Sequence, residues 1–434
     1  MMETMHFEQL QETLYKEKLD NGLEVFLLPK EGFQKAFAVF TTKYGSVDDR
    51  FIPIGGTEPV QLPDGVAHFL EHKMFEDEDG DVFQEFSRQG ASANAFTSFT
   101  RTAYLFSSTS GVSNSLETLL NFVQKPYFTD ATVEKEKGII EQEINMYQDN
   151  PDWQNFFGLL KAMYHRHPVR TDIAGTVSSI YDISKEDLYM AYETFYHPAS
   201  MVLFIVGAVE PESTMKQIRE NQQAKTFPDP EEPVRFQADE PEEVFEKSVT
   251  MAMPVQVGRC LIGFKEKNPF RRGRDLLKRE LSAQLVLEMM FGQSSDGYAS
   301  LFSRGLIDET FSFDYTAEEG FGFSVIGSDT TSPQELDDAV SGIIQSAQRE
   351  GLSEAAFERL KKKKIGFFLR AMNSPEFIAN QFTRYHMNEM QLFDVIPVLE
   401  SLTLHDLDEV LQEHFDLSRQ KSVHMIYPEE SVTS

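Results

Sequence analysis

The stretch from Phe227 to Phe245, FPDPEEPVRFQADEPEEVF, puts four prolines and a dense run of acids near the middle of the chain. Neither a helical nor a strand period survives such a stretch, so it reads as a linker. It divides 434 residues into an N-terminal domain over 1–228, a linker over 229–245 and a C-terminal domain over 246–434. The two halves repeat one order of elements, and that repetition limits the fold more than composition does.

In the first half, Gly22–Lys30 and Ala36–Val47 read as strands rich in Phe, Val and Thr. Helical stretches follow at Ala67–Phe75 and Val82–Gln89, then a strand pair across Ala93–Ser108 and a long charged helix from Asp130 to Tyr147. A Ser-capped helix, Ser184–Phe195, leads into the strand MVLFIVGAV. The second half runs strand (Arg259–Lys265), helix (Arg274–Met290), strands (Glu309–Ile326) and helices (Pro333–Glu350, Ser353–Ala371). It ends in LTLHDLDEVLQEHF and VHMIY, with Thr403 and Asp406 standing where Ser184 and Asp187 stand. This order predicts α+β architecture: two homologous α/β-sandwich domains, each an antiparallel-rich sheet with helices on one face.

Lys and Arg number 40 against 70 Asp and Glu, a net charge of −30. Such a surface repels phosphate backbones and anionic membranes, so neither nucleic acid nor membrane is an expected partner. The single cysteine, Cys260, excludes an intrachain disulfide and a multi-thiolate metal site. No signal-peptide pattern or spanning apolar stretch is recognisable, and a cytoplasmic protein is expected.

Chemistry concentrates in GVAHFLEHKMFED, where His68, Glu71 and His72 share one helix face. With ten His and seventy acids in the chain, chance supplies about 0.04 copies of such a pattern. Two imidazoles at this spacing can converge on one metal, and a catalytic zinc needs a third protein ligand. The helix VEKEKGIIEQEINMYQ offers Glu134, Glu136, Glu141 and Glu143. Glu136 and Glu143, seven apart, share a face, with Ile139 and Ile140 expected to pack that helix inward. One of the two acids could ligate while the other orients a ligand or a water.

His-x-x-Glu-His is the inverted zinc motif, and the chain resembles the pitrilysin/insulinase family of zinc metallopeptidases. NAFTSFTRTAYLF matches the family's strand beginning Asn-Ala-x-Thr, and YHPASMVLFIVGAVEP its Tyr-x-Pro-x-Asn-Met segment, with Ser200 in place of Asn. The resemblance implies that His68, His72 and Glu143 bind Zn2+, that Glu136 supports them, and that Glu71 is the general base activating a water. It also implies that Asn94, Ala95, Phe96 and Thr97 receive an extended peptide substrate on a strand edge. The expected fold is half of a pitrilysin-type clamshell, and the expected activity is zinc-dependent endopeptidase action on peptides or unfolded segments in an enclosed chamber.

One departure bears on partners. Competent members of the family carry an Arg and a Tyr seven residues apart in the second domain; in LFSRGLIDETFSFDY the Arg is Arg304, but Phe311 follows it, with Tyr315 as the next phenol. That pattern resembles one member of the family's bacterial two-subunit peptidases, so a paralogous subunit is expected, with a homodimer as the other arrangement. A non-hydrolytic subunit acting in binding or assembly is the rival reading. Trp153, Phe156 and Phe157 read as packing, and His165 and His167 as a loop pair. Lys361–Lys364 reads as a solvated face or a dock for an acidic partner, and Cys260 as a buried apolar residue.

Overall fold

The computed structural model describes residues 2–78 and 80–429. The chain gathers into two compact units: Met1–Ile144, Asp172–Phe236 and Leu369–Met387 form the first; Asn145–Thr171, Gln237–Phe368 and Asn388–Ser434 form the second. These are not the contiguous halves that the linker suggests. Each unit takes one segment from the other half of the sequence.

The first unit holds β1 (Glu3–Phe7), β2 (Glu12–Lys18), β3 (Glu24–Pro29), β4 (Ala36–Thr42), β5 (Ser92–Thr97), β6 (Thr102–Ser108) and β7 (Met201–Gly207). They make one sheet in the order β1-β2-β3-β7-β4-β6-β5, with β3 and β7 parallel and the other neighbours antiparallel. The second unit's sheet comprises β8 (Ser248–Met253), β9 (Arg259–Lys265), β10 (Ser312–Glu318), β11 (Phe321–Asp329) and β12 (Lys421–Pro428). Its order is β8-β12-β9-β11-β10, again with one parallel pair, β8 and β12. Without β1 and β2 the two orders coincide strand for strand, so the repeat read from sequence is a repeat of topology.

The helices follow the same plan. In the first half of the chain come α1 (Val66–Met74), α2 (Val82–Arg88), α3 (Val112–Val123), α4 (Asp130–Gln148), α5 (Pro151–Met163) and α6 (Lys185–Phe195). The second half supplies α7 (Gly273–Phe291), α8 (Asp296–Ser303), α9 (Pro333–Glu350), α10 (Glu354–Ala371), α11 (Pro375–Met387) and α12 (Leu404–His414). Capping boxes open both α6 and α12, through Ser184 with Asp187 and Thr403 with Asp406. Set with Thr129 on Ser353, the stretch Phe128–Trp153 runs without a gap along Leu352–Phe377. In both, the hydroxyl residue's carbonyl accepts the first helical bond, from Val133 N–H at 3.0 Å and from Phe357 N–H at 2.9 Å.

The exchange occurs just after these long helices. Every residue of β4 and β7 is buried, because both faces of the first sheet are covered. Val25, Leu27, Phe40, Leu203 and Ile205 join the main core. The alternate residues Phe26 and Phe204 turn the other way and meet Phe382 of α11, at ring separations of 4.9 and 4.2 Å. In the second unit α5 plays α11's part, packing on β9 and β12. Contact there is close enough to need glycine: a Cβ on Gly263 would come within 2.6 Å of Met163 Sδ, and one on Gly158 within 2.4 Å of the His424 ring.

The linker is also more structured than its composition suggests. Val234–Arg235 pairs with Arg50–Ile52, and Arg235 Nε donates to buried Asp48 at 2.7 Å. In the second unit Glu240 accepts the N–H groups of His165, Arg166 and His167 at 2.8, 2.7 and 2.8 Å and pairs with buried Lys265. These linker groups are anchored rather than solvated. No helix among the described residues is long and apolar enough to cross a membrane.

Candidate metal centre

Helix α1 starts at Gly65, which holds φ 94° against the Ala174 carbonyl. A side chain there would clash with that carbonyl, and the left-handed backbone favours glycine. Val66, Ala67, Phe69, Leu70 and Met74 then bury one side of the helix, which leaves His68, Glu71 and His72 on the side facing α4. Ile140 and Ile144 bury the opposing stripe of α4, so that Glu136 and Glu143 point at the two imidazoles. Ile139, expected to pack inward, is instead 46% exposed, because it falls beyond those two acids, on the side of the helix turned away from Val133, Ile140 and Ile144.

His68 Nε2 lies 3.7 Å from Glu143 Oε1, and His72 Nε2 lies 3.5 Å from Glu143 Oε2. One ligand atom from each of the three residues falls within 4.8 Å of the others, and no other such group of His, Cys, Asp or Glu occurs among the described residues. Tetrahedral zinc with bonds of about 2.0 Å sets its ligand atoms roughly 3.3 Å apart, and His2Glu is a known catalytic donor set. The three residues therefore fit a Zn2+ ion. Glu136 Oε1 sits 3.1 Å from His72 Nδ1 and so orients that ring.

Glu71 stays outside the ligand group. Thr97 Oγ1 donates to its Oε2 at 2.5 Å. Burial raises the Glu71 pKa, with the Thr97 bond opposing. Burial, then the neighbouring His72, pushes His68 down to about 4, so its imidazole is neutral and its lone pair free. Burial also acts against charge on His72, but the Glu136 bond and the surrounding carboxylates outweigh it and raise that pKa. Glu136 ends below the usual carboxylate range: burial opposes this, and His72 prevails.

Asn94, Ala95, Phe96 and Thr97 lie on β5, the edge strand of the first sheet. Asn94 and Ala95 line a cavity of about 770 Å³ together with Glu71, His72 and Glu136. The Phe96 ring faces the Arg101 guanidinium at 5.3 Å. The cavity also includes Phe75, Phe83, Tyr127 and Thr132, none of which stood out in the sequence, because isolated aromatics resemble core residues there. Phe83 differs in being 39% exposed while its ring stacks on Phe75 at 4.0 Å.

Arg304 belongs to the second unit, exposed at the C-terminal end of α8, and its guanidinium makes no hydrogen bond or ion pair among the described residues. Phe311 packs among Phe291, Tyr298 and Phe313. Tyr315 does not stand in for the missing phenol: it is 2% exposed, and its hydroxyl donates to buried Glu266 at 2.7 Å. The second unit also lacks the ligand set. With Met74–Phe75 set on Met290–Phe291, His68, Glu71 and His72 fall on Gln284, Leu287 and Glu288, and the long-helix alignment puts Glu143 on Phe367.

Residues 52–177 match the family described as Insulinase (Peptidase family M16), and residues 182–364 match the family described as Peptidase M16 inactive domain. The chain belongs to peptidase family M16. It is 60% identical to the Bacillus subtilis strain 168 protein named "Uncharacterized zinc protease YmfH", over 96% of this chain and 98% of that one. The crystal structure of an M16-like peptidase from Alicyclobacillus acidocaldarius superposes with a TM-score of 0.93 at 39% identity, covering 98% of both chains. A protease from Helicobacter pylori shares the fold with a TM-score of 0.82 at 18% identity, over 96% of this chain and 99% of that one.

Proposed function

We propose that the protein is a zinc-dependent endopeptidase acting on extended peptides. The observation that carries this reading is the separation of roles in one cluster. His68, His72 and Glu143 converge as a ligand set, while Glu71 on the same helix stays uncommitted, aligned by Thr97. When bound, zinc supplies a Lewis acid that acidifies water and polarises a carbonyl. Glu71 takes the proton as water adds to the peptide carbonyl and returns it to the departing amine nitrogen, a task suited to a carboxylate whose pKa is raised by burial. Glu136 fixes the His72 ring. Asn94–Thr97 offers a free strand edge on which a peptide main chain can add as a further strand.

The second unit carries Arg304 without a phenol at position 311 and with Tyr315 buried. These features favour a working assembly in which a paralogous subunit completes the site, since another copy would carry the same Phe311. The test joins metal content with activity. The purified protein should hold about one zinc per chain, and Glu71→Gln should keep that zinc while abolishing peptide cleavage. Cleavage retained in Glu71→Gln, or by a metal-free protein, would overturn the zinc and Glu71 chemistry, whereas a protein that holds no zinc and cleaves no peptide with its partner present would favour a binding subunit.

A further inference from the structure

Lys73 follows the ligand His72 along α1 and is wholly buried, with its ammonium bound by the partly exposed Glu76 carboxylate. A lysine in such a place needs its counter-charge, because an unpaired buried ammonium is costly. Glu76 and Asp77 pair with Asp81 and Gly80 as two short antiparallel strands. Exposed Lys125 donates to both oxygens of Asp77 at 3.1 and 3.2 Å. Val82 N–H donates to the Phe75 carbonyl at 3.0 Å, and Asp81 accepts from the Phe83 N–H at 2.8 Å where α2 begins. This closure lays the Phe83 ring on Phe75, 13° from parallel. Phe75 is buried and covers one face of Phe83; the other face is open to the cavity that Glu71 and His72 line.

The acids around that cavity are less available than their number suggests. Glu71 is held by Thr97 and Glu136 by His72. Lys73 and Lys125 neutralise Glu76 and Asp77, and Asp81 caps α2. The charged side chains that remain in the lining, Glu78 and Lys135, are of opposite sign. A cation entering here competes with two resident lysines, whereas a ring needs only the open face of Phe83.

Resting on the peptidase reading above, we propose that this cavity takes an aromatic substrate side chain next to the scissile bond, stacked on Phe83, and that Lys73 is the positioning residue for the wall built from Glu76–Asp77 and Gly80–Asp81. Offset-stacked rings attract beyond the area they bury. Phe83 is backed by Phe75 and so meets an incoming ring without rearranging. The two members of the Lys73–Glu76 pair are not equivalent. Without Lys73, Glu76 turns into solvent from a place where it is already 30% exposed, and the wall comes free while the fold stands. Without Glu76, a buried ammonium is left alone.

The test uses matched peptides carrying Phe, Ala or Arg on either side of one cleavage point, with the paralogous subunit present. Phe should be favoured over Ala about tenfold in kcat/KM at one of the two positions. Phe83→Ala should bring that ratio to about one with zinc retained. Lys73→Met should lower the ratio through KM while kcat for the Phe peptide and the zinc content hold, a split that lost stability alone does not give. Zinc-loaded Glu71→Gln should bind the peptides in the same order, which reads the cavity without turnover. A wild type that cleaves none of them therefore counts against the peptidase reading, while the binding order decides the cavity. Arg favoured over Phe, no preference for Phe over Ala in binding, or a preference that survives Phe83→Ala or Lys73→Met would each overturn the proposal.

Discussion

Truncating Phe382 to Ala should loosen the unit that holds His68 and His72, although the linker and four of the second sheet's five strands lie between them in sequence. Phe382 is 3% exposed and fills the space between Phe26 and Phe204 on the far face of the first sheet. Losing a buried phenyl costs about 3–5 kcal/mol, since the transfer term is joined by a cavity that two strands cannot collapse into. For a unit of this size that lowers melting by roughly 10 °C.

The assay is hydrogen exchange followed peptide by peptide. Protection should fall in β3 and β7 and hold in β9 and β12. Phe157→Ala on α5, where the phenyl is 4% exposed, should give the reverse pattern. Zinc in hundredfold excess over its dissociation constant should restore about 2.7 kcal/mol to the first unit only. Loss of protection in the second sheet with the first spared would refute the exchange of α5 and α11, because that is what contiguous halves require.

Glu240→Ala should cost about 3–5 kcal/mol in denaturant titration, since it leaves Lys265 buried without its counter-charge; a loss near zero would mean that the linker is solvated. Tyr315→Phe should cost about 1 kcal/mol and leave peptide hydrolysis intact, whereas a large fall in turnover would place that hydroxyl on substrate. Acid should destabilise the second unit through Glu266. Burial opposes its charge, but His414 and Arg279 hold its pKa far below the ordinary range. A depressed folded pKa gives stability that is full above about pH 4.3 and lost as pH falls below it. Glu266→Gln should flatten that part of the stability–pH curve and lower stability at neutral pH, because Arg279 loses its buried counter-charge and keeps only the exposed Glu413; an unchanged acid limb would contradict the assignment.

What the sequence made legible was whatever depends on short range. Both capping boxes, the strands at Ala36–Val47 and Arg259–Lys265, and the helix bearing His68, Glu71 and His72 rest on neighbours within a few residues, and each stands where its pattern puts it. Strands β1 and β2 were not visible, because ETMHF and ETLYKEK mix acids and lysines with few apolar residues, as suits an edge that buries little. The exchange of α5 and α11 has no local signature, since an amphipathic helix shows which face it buries but not against which sheet.

The candidate site divides along the same line. The spacing of His68, Glu71 and His72 is a property of one turn of helix, whereas the meeting of Glu143 with both imidazoles and of Thr97 with Glu71 depends on how α4 and β5 pack against α1. Duplication sharpens the point. Both units keep the strand order, the capped helix and the long helix with its hydroxyl start, yet only the first keeps the ligands, and Gln284, Leu287, Glu288 and Phe367 stand at the matching places in the second. Folding thus requires the elements both units share and does not require the ligand set. A set that folding does not require, held in one copy with its acids aimed and its base left free, is what a chemical role would maintain.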